Sequence, residues 1–235
     1  MKFFTFVLAI LLLTTACATH DQRIEHWSEV LLNSPGNYSD QYKALDVLVC
    51  IGDQRAVPAI ISYNEKEPNS RALKALTYLG GEKAKQYLKQ RLKKMEQIPG
   101  IQQCGSVKSD VLDAEYAHTL AALSFLGEKV DLSYLYETLF SDDKGCAAYA
   151  ANALGLVPGE RTEKALIDFL YNSSERMQMP RSFAASSLVE IDVENVRLIL
   201  MDLVEKDLLY LDGYTDCIDK YWKKRCGLKC INLNE

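Results

Sequence analysis

The sequence predicts an all-α fold, an α-solenoid of about five helix pairs with capping helices. Three observations predict it. Ala- and Leu-rich runs that end in an apolar residue followed by Gly or Asp recur five times. A second stripe of apolar residues at helical spacing follows each run. No alternating apolar and polar pattern of strand length appears.

Taken in order, Ile24, Trp27, Val30 and Leu31 make a short amphipathic helix closed by Asn33-Ser34-Pro35-Gly36. It is expected to cover the exposed apolar face of the first pair. The five runs are Tyr42 to Gly52, Ser70 to Gly80, Tyr116 to Gly127, Ala148 to Gly155 and Phe183 to Asp192. Their anchors step by 28, 47, 28 and 37 residues. A Gly just past the last apolar position suits the left-handed turn that ends a helix. Ala72, Ala75, Ala117, Ala121, Ala150 and Ala153 let neighbouring helices approach closely.

The second helices are equally regular. Val57, Ile60 and Ile61 follow Gly52, with Pro58 in a first turn that tolerates it. Ala84, Tyr87, Leu88, Leu92 and Met95 follow Gly80. Leu132, Leu135, Tyr136 and Leu139 follow Gly127, with Asp131 as the expected cap. Ala165, Leu166, Phe169 and Leu170 follow Gly155, and Val196, Ile199, Leu200 and Leu203 follow Asp192. Residues 97–109, with Pro99-Gly100 and Cys104-Gly105, form the longest loop and account for the widest step.

The first unit carries a more specific signature. Ala44-Leu45 through Ile51-Gly52-Asp53-Gln54-Arg55-Ala56-Val57-Pro58-Ala59-Ile60 resembles the HEAT-like repeat of the phycobilisome-lyase type. In that family Gly-Asp-x-Arg-Ala-Val-Pro-Ala joins the two helices of a pair. The other units keep the Ala, the Leu and, in all but the last, the terminal Gly, and lose the Arg-Ala-Val-Pro segment. The resemblance runs over about Ser39 to Lys206 and implies stacked pairs, each burying its apolar face on its neighbours. It also implies a curved surface suited to a protein partner.

The N-terminus sets the expected compartment. Lys2, a mostly apolar run from Phe3 to Leu13 and the small residues Thr14, Thr15 and Ala16 read as a secretory signal peptide. The run's 11 residues are fewer than the about 20 a spanning helix needs. Leu13-Thr14-Thr15-Ala16-Cys17 resembles the lipobox of bacterial lipoproteins, which implies that Cys17 is lipidated, becomes the new N-terminus and ties the chain to a membrane. In enteric-type bacteria an Asp after that Cys retains a lipoprotein in the inner membrane. Ala18 stands there, so the resemblance implies the periplasmic face of the outer membrane if the host is Gram-negative. The expected organisation is 1–16 signal peptide, 17–38 anchor and capping helix, 39–206 solenoid and 207–235 a Cys-rich cap.

Seven cysteines are an odd number, and taking Cys17 as lipidated leaves six. An even set in an exported chain suggests disulfides. Cys217, Cys226 and Cys230 cluster near the C-terminus and are expected to close a loop from Cys217 to one of the other two. Cys104 and Cys146 lie near predicted helix starts and are candidates to staple neighbouring units. Cys50 sits within a helix, on or beside its apolar face, and reads equally as a buried thiol or as a bridge. A zinc site in the C-terminal trio lacks a fourth ligand, so no metal is expected.

Charge is uneven along the chain. The net charge is −5, a poor match for nucleic acid. Yet Arg71, Lys74, Lys83, Lys85, Lys89, Arg91, Lys93 and Lys94 crowd one stretch in which only Glu82 opposes them, a local net of +7. Such a stretch is either a solvated helix face or a surface for an anionic partner. Arg71, Lys74, Lys85, Lys89, Arg91, Lys93 and Lys94 are the candidate binding residues. Lys220, Lys223, Lys224, Arg225 and Lys229 form a second basic group.

No catalytic signature emerges. The chain has no Gly-x-Ser-x-Gly, His-Glu-x-x-His, Walker-type or dinucleotide-binding glycine pattern. Of three histidines, His20 and His26 lie near the anchor, and His118, on a helix, reads as structural. Asp142 and Asp143 read as a polar turn, because a calcium site needs more oxygens than they offer. The expectation is a non-enzymatic, lipid-anchored envelope scaffold that binds an envelope protein and needs no cofactor. The alternatives are a periplasmic module for an anionic ligand or polymer and, from the repeat resemblance, a lyase-like handler of a cofactor.

Overall fold

The structure, a computed structural model, describes residues 20–34, 36–106, 110–191, 196–206 and 208. The described chain is all-helical, with eleven α-helices and no strand among the described residues. After helix α1 (residues 20–33) come α2 (Tyr38–Ile51), α3 (Val57–Lys66), α4 (Ser70–Leu79) and α5 (Gly81–Met95). Then follow α6 (Asp110–Phe125), α7 (Ser133–Leu139), α8 (Lys144–Leu154), α9 (Glu160–Asn172), α10 (Gln178–Glu190) and α11 (Val196–Glu205). The five predicted pairs are therefore α2/α3, α4/α5, α6/α7, α8/α9 and α10/α11. None of the described helices is long and apolar enough to cross a membrane.

The chain divides into two compact units, Met1–Ala84 and Lys85–Glu235, the division falling within α5. In the first unit α4 packs on both α2 and α3. The predicted stripes are the buried ones: Ala44, Leu45, Leu48, Ile60, Ala72, Leu73 and Leu76 are fully enclosed. Each enclosed Leu or Ile contributes roughly 1.5–3 kcal/mol relative to an exposed one. On α1, Ile24 and Leu31 are buried as the amphipathic pattern predicts.

The Gly-Asp-x-Arg motif has a local physical job in this unit. Gly52 takes φ +71° and its N–H donates to the Leu48 carbonyl, ending α2. Asp53 Oδ1 then accepts the Arg55 N–H at 2.8 Å and caps a single 3₁₀ turn, Gln54–Ala56. Arg55 grips both oxygens of Asp53 and reaches Asp21 on α1 at 2.6 Å. Pro58 lies in the first turn of α3, as expected.

In the second unit the first helices of successive pairs form a row. Helix α8 packs between α6 and α10, α7 leans on α8, and α9 and α11 lean on α10. The Ala content explains the close row: Ala147, Ala150, Ala151, Ala153 and Ala184 are fully buried. Ser187 on α10 donates to the Ala151 carbonyl of α8 at 2.7 Å, a hydrogen bond from side chain to a neighbouring backbone that needs such proximity. Arg181 on α10 is 1% exposed and donates to Ser173 Oγ, the Ser173 carbonyl and the Leu208 carbonyl. It thereby ties the end of α9 to the chain after α11.

Two sequence expectations need correction. Gly127 ends α6 with φ +81°, but Gly155 is right-handed at φ −59°. Its lack of a side chain serves close approach instead: a Cβ there would meet Glu190 Oε2 and Ser187 of α10. Cys50 lies on α2 as expected but is exposed, so the buried-thiol reading fails. Cys50 lies five residues past Leu45 and two past Leu48, about 140° and 200° round the helix, so its position is off the packed face.

Candidate functional site

The basic stretch comes first because charge alone singled it out. Arg71 on α4 donates to both oxygens of Asp46 on α2, at 3.1 and 2.5 Å, and lies over the Tyr42 ring. Lys74 is half-buried on the same helix. Lys85 and Lys89, one turn apart on α5, share Glu128, at 3.4 and 2.7 Å. Lys89, followed by Lys85, holds the Glu128 carboxyl below the usual range. Arg91 reaches Glu115 on α6, itself 1% exposed, through Nε at 2.8 Å and Nη2 at 2.5 Å. Lys93 and Lys94 are exposed in the last turn of α5, where cations oppose the negative end of the helix dipole.

Arg71, Lys85, Lys89 and Arg91 are thus engaged with carboxylates of this chain. Sequence proximity to Glu82 alone understated the opposing charge, because Asp46, Glu115 and Glu128 arrive from other elements. Arg71 and Lys74 lie in the first unit, and Lys85 to Lys94 in the second.

The cysteine expectation is met at one pair. Cys104 and Cys146 are bonded, with Cα atoms 5.7 Å apart and a sequence separation of 42. The bond ties the loop before α6 to the first turn of α8, stapling two successive pairs. Asp143 Oδ1 accepts the Cys146 N–H at 2.9 Å, so this residue caps α8, as the polar-turn reading implies. Cys17, Cys217, Cys226, Cys230 and the second basic group lie outside the described residues, and so do the signal peptide and the predicted C-terminal disulfides.

Beside the disulfide sits a group the sequence reading missed. Asp113 on α6 is 1% exposed. One oxygen accepts the Gly105 N–H at 3.0 Å, and Oδ1 is buried without a hydrogen-bond partner. A carboxylate oxygen lies within 4.8 Å of both sulfurs. Burial pushes the Asp113 carboxyl above the usual carboxylate range, with Asp110 and Asp143 adding to the shift. The Tyr134 hydroxyl of α7 is also buried, and burial and the charge of Asp113 push its pKa up. The Tyr116 ring meets the Tyr134 ring edge-on at 4.9 Å. With the sulfurs joined, no thiolate is present to ligate a metal.

A signal for Asp113 was present in the sequence. The stripe Tyr116, Leu120, Leu123 extends back by one turn to Asp113, so an acidic residue occupies a core position of α6. Glu115 and His118 are likewise buried in α6, which is enclosed on nearly all sides. His118 Nδ1 pairs with the Ala114 carbonyl at 2.8 Å.

No protein-family model matches the chain, and a search of curated proteins finds no match.

Proposed function

We propose that the protein is a lipid-anchored scaffold of the cell envelope that binds a protein partner through the surface of its helix pairs. One observation carries the reading. The charged groups that a small-ligand site would require are taken up in holding helices together, as in Arg91–Glu115, Lys85/Lys89–Glu128 and Arg71–Asp46. What the fold offers outward is helix surface, with Phe125, Phe140 and Met179 among its exposed apolar side chains. The signal-peptide and lipobox resemblance supplies the location, with Cys17 as the lipid carrier.

The test is cross-linking in cells on the anchored protein, followed by mass spectrometry. A reproducible envelope protein is expected, and recovery of none under several growth conditions would overturn the reading. A parallel arm with Cys17→Ser tests the anchor: the variant should leave the membrane fraction, and its retention there would remove the lipid from the account.

A second reading is a module for an anionic ligand or polymer, favoured by exposed Lys93 and Lys94. Lys93→Glu with Lys94→Glu would then abolish low-salt binding to anionic vesicles, whereas unchanged binding rejects it. The lyase-like reading would require a chromophore absorbance in the purified protein.

A further inference from the structure

We propose that the Cys104–Cys146 bond is a thiol–disulfide exchange site, entered at Cys104 by a dithiol partner, with Asp113 handing a proton to the Cys146 sulfur.

The two sulfurs are not equivalent. Cys104 is partly exposed on the loop before α6, whereas Cys146 is 3% exposed. Access therefore directs an incoming thiolate to Cys104 and makes Cys146 the leaving sulfur. Cys146 stands in the first turn of the eleven-residue α8, where backbone N–H groups and the positive end of the helix favour a developing thiolate. Burial opposes that charge, so an adjacent proton donor would relieve it.

Asp113 fits the role by position. Its carboxyl is enclosed, its Gly105 hydrogen bond occupies one oxygen, and the unpartnered Oδ1 is buried beside the bond. A carboxyl oxygen lies within 4.8 Å of both sulfurs, so a small shift on opening brings donor and sulfur into contact. The groups whose charge or hydroxyl acts on it are Asp110 of the same helix, Asp143 before α8, Tyr149 of α8 and Tyr134 of α7. All are acidic or neutral, so no cation competes to keep Asp113 ionised through these contacts. Positive-φ residues Gly100 and Gly105 bracket Cys104 in the loop.

The step balances as follows. A partner thiolate forms a bond to Cys104 Sγ as the Cys104–Cys146 bond breaks. The electron pair goes to Cys146 Sγ, which takes the Asp113 proton and leaves a carboxylate. The partner's second thiolate then attacks the partner's own sulfur in the mixed disulfide and releases Cys104 as thiolate. The chain gains two electrons and the partner departs as a disulfide.

The test uses the full chain with dithiothreitol as the probe, differential alkylation and peptide mapping of Cys104 and Cys146. Rates are corrected for the reagent's thiolate fraction. The wild-type rate should exceed the global unfolding rate and fall as pH rises through the raised value of Asp113. Asp113→Asn should be slower by about tenfold or more on the acid side, with that pH step absent. Asp113→Glu, which keeps a donor, should restore the step. With the monothiol glutathione in place of dithiothreitol, the wild-type chain quenched early should carry the mixed disulfide on Cys104. Reduction that tracks unfolding, an identical pH profile in Asp113→Asn, or no step in Asp113→Glu would overturn the proposal. So would a glutathione mixed disulfide that maps to Cys146 instead of Cys104.

Discussion

Arg91 on α5 closes on the buried carboxylate of Glu115 on α6 with two hydrogen bonds to one oxygen. Glu115 is 1% exposed, while the Arg91 side chain retains 21%, so the carboxylate depends on this cation for charge compensation. Removing the cation leaves a buried charge, whereas removing both partners leaves an apolar helix contact. Arg91→Met should therefore destabilise the protein by about 3–5 kcal/mol. The double variant Arg91→Met/Glu115→Met should recover most of that loss. Urea unfolding of the four proteins in a double-mutant cycle measures the coupling. Simple additivity would mean the pair is independent of burial.

Asn69 ties three helices of the first unit. Its Oδ1 accepts the Ala72 N–H at 2.9 Å and caps α4, while Nδ2 donates to Tyr63 Oη at 2.8 Å and to the Glu67 carbonyl at 3.3 Å. Tyr63 in turn donates to Gln41 on α2 at 3.3 Å. Asn69→Ala removes the cap and the donor together and should cost about 2 kcal/mol. Asn69→Asp keeps an accepting oxygen but loses the donor, so it should be intermediate. Thermal unfolding of the three chains checks the order.

Gly155 and Gly127 separate two uses of glycine. At Gly155 a Cβ would lie 3.2 Å from the Ser187 Cβ and closer still to Ser187 Oγ and Glu190 Oε2. Gly155→Ala should push α10 away from α8 and cost about 1–3 kcal/mol. At Gly127 nothing lies within 4 Å, and only φ +81° is at stake. Gly127→Ala should cost about 1–2 kcal/mol, the strain of a left-handed residue. Adding Ser187→Ala should relieve part of the loss at Gly155 and none at Gly127, a difference readable in unfolding midpoints.

The helix pairs were legible because periodicity reports burial directly. Leu73, Leu76, Leu88, Leu135, Leu166 and Phe169 are core residues at the spacing that one packed face requires. Partners across elements were not legible in the same way. The +7 stretch looked unopposed because Asp46, Glu115 and Glu128 are remote in sequence and become neighbours only after the helices pack. Asp113 was missed for a related reason. The third run was read from Tyr116, whereas α6 begins at Asp110 and is already buried at Asp113. Gly155 matched its sequence pattern but for another cause, close approach instead of a left-handed turn.

Acid should weaken the surface ties and leave the core carboxyl alone. Asp53 and Glu128 are held below the usual carboxylate range, chiefly by Arg55 and Lys89 respectively. A lowered value favours the fold above the ordinary carboxyl range, and that contribution disappears as pH falls through the lowered one. Both groups keep contact with water at 22% and 26% side-chain exposure, so the effect should be small and reduced by salt. Lys89→Gln should therefore flatten the acid limb of the stability curve at low salt and leave it unchanged at high salt. An equal effect at both ionic strengths would point away from Lys89–Glu128 pairing.

Asp113 has the opposite sign. Burial raises its carboxyl above the ordinary value, so the folded state holds its proton more tightly than the unfolded chain does. That contribution is fully present below the ordinary carboxyl value of 3.8 and is lost as pH rises through the raised one. Asn at this position cannot ionise, and its side-chain oxygen can still accept the Gly105 N–H. The stability of Asp113→Asn relative to wild type should therefore increase with pH across that window and then level off. Asp53 and Glu128 are common to both chains and cancel in the difference. Urea unfolding of both proteins from pH 3 to pH 8, with the Cys104–Cys146 bond intact, gives the curve directly. A difference that stays flat would mean the Asp113 carboxyl is hydrated in the folded protein, and one that falls with pH would mean a cation reaches it.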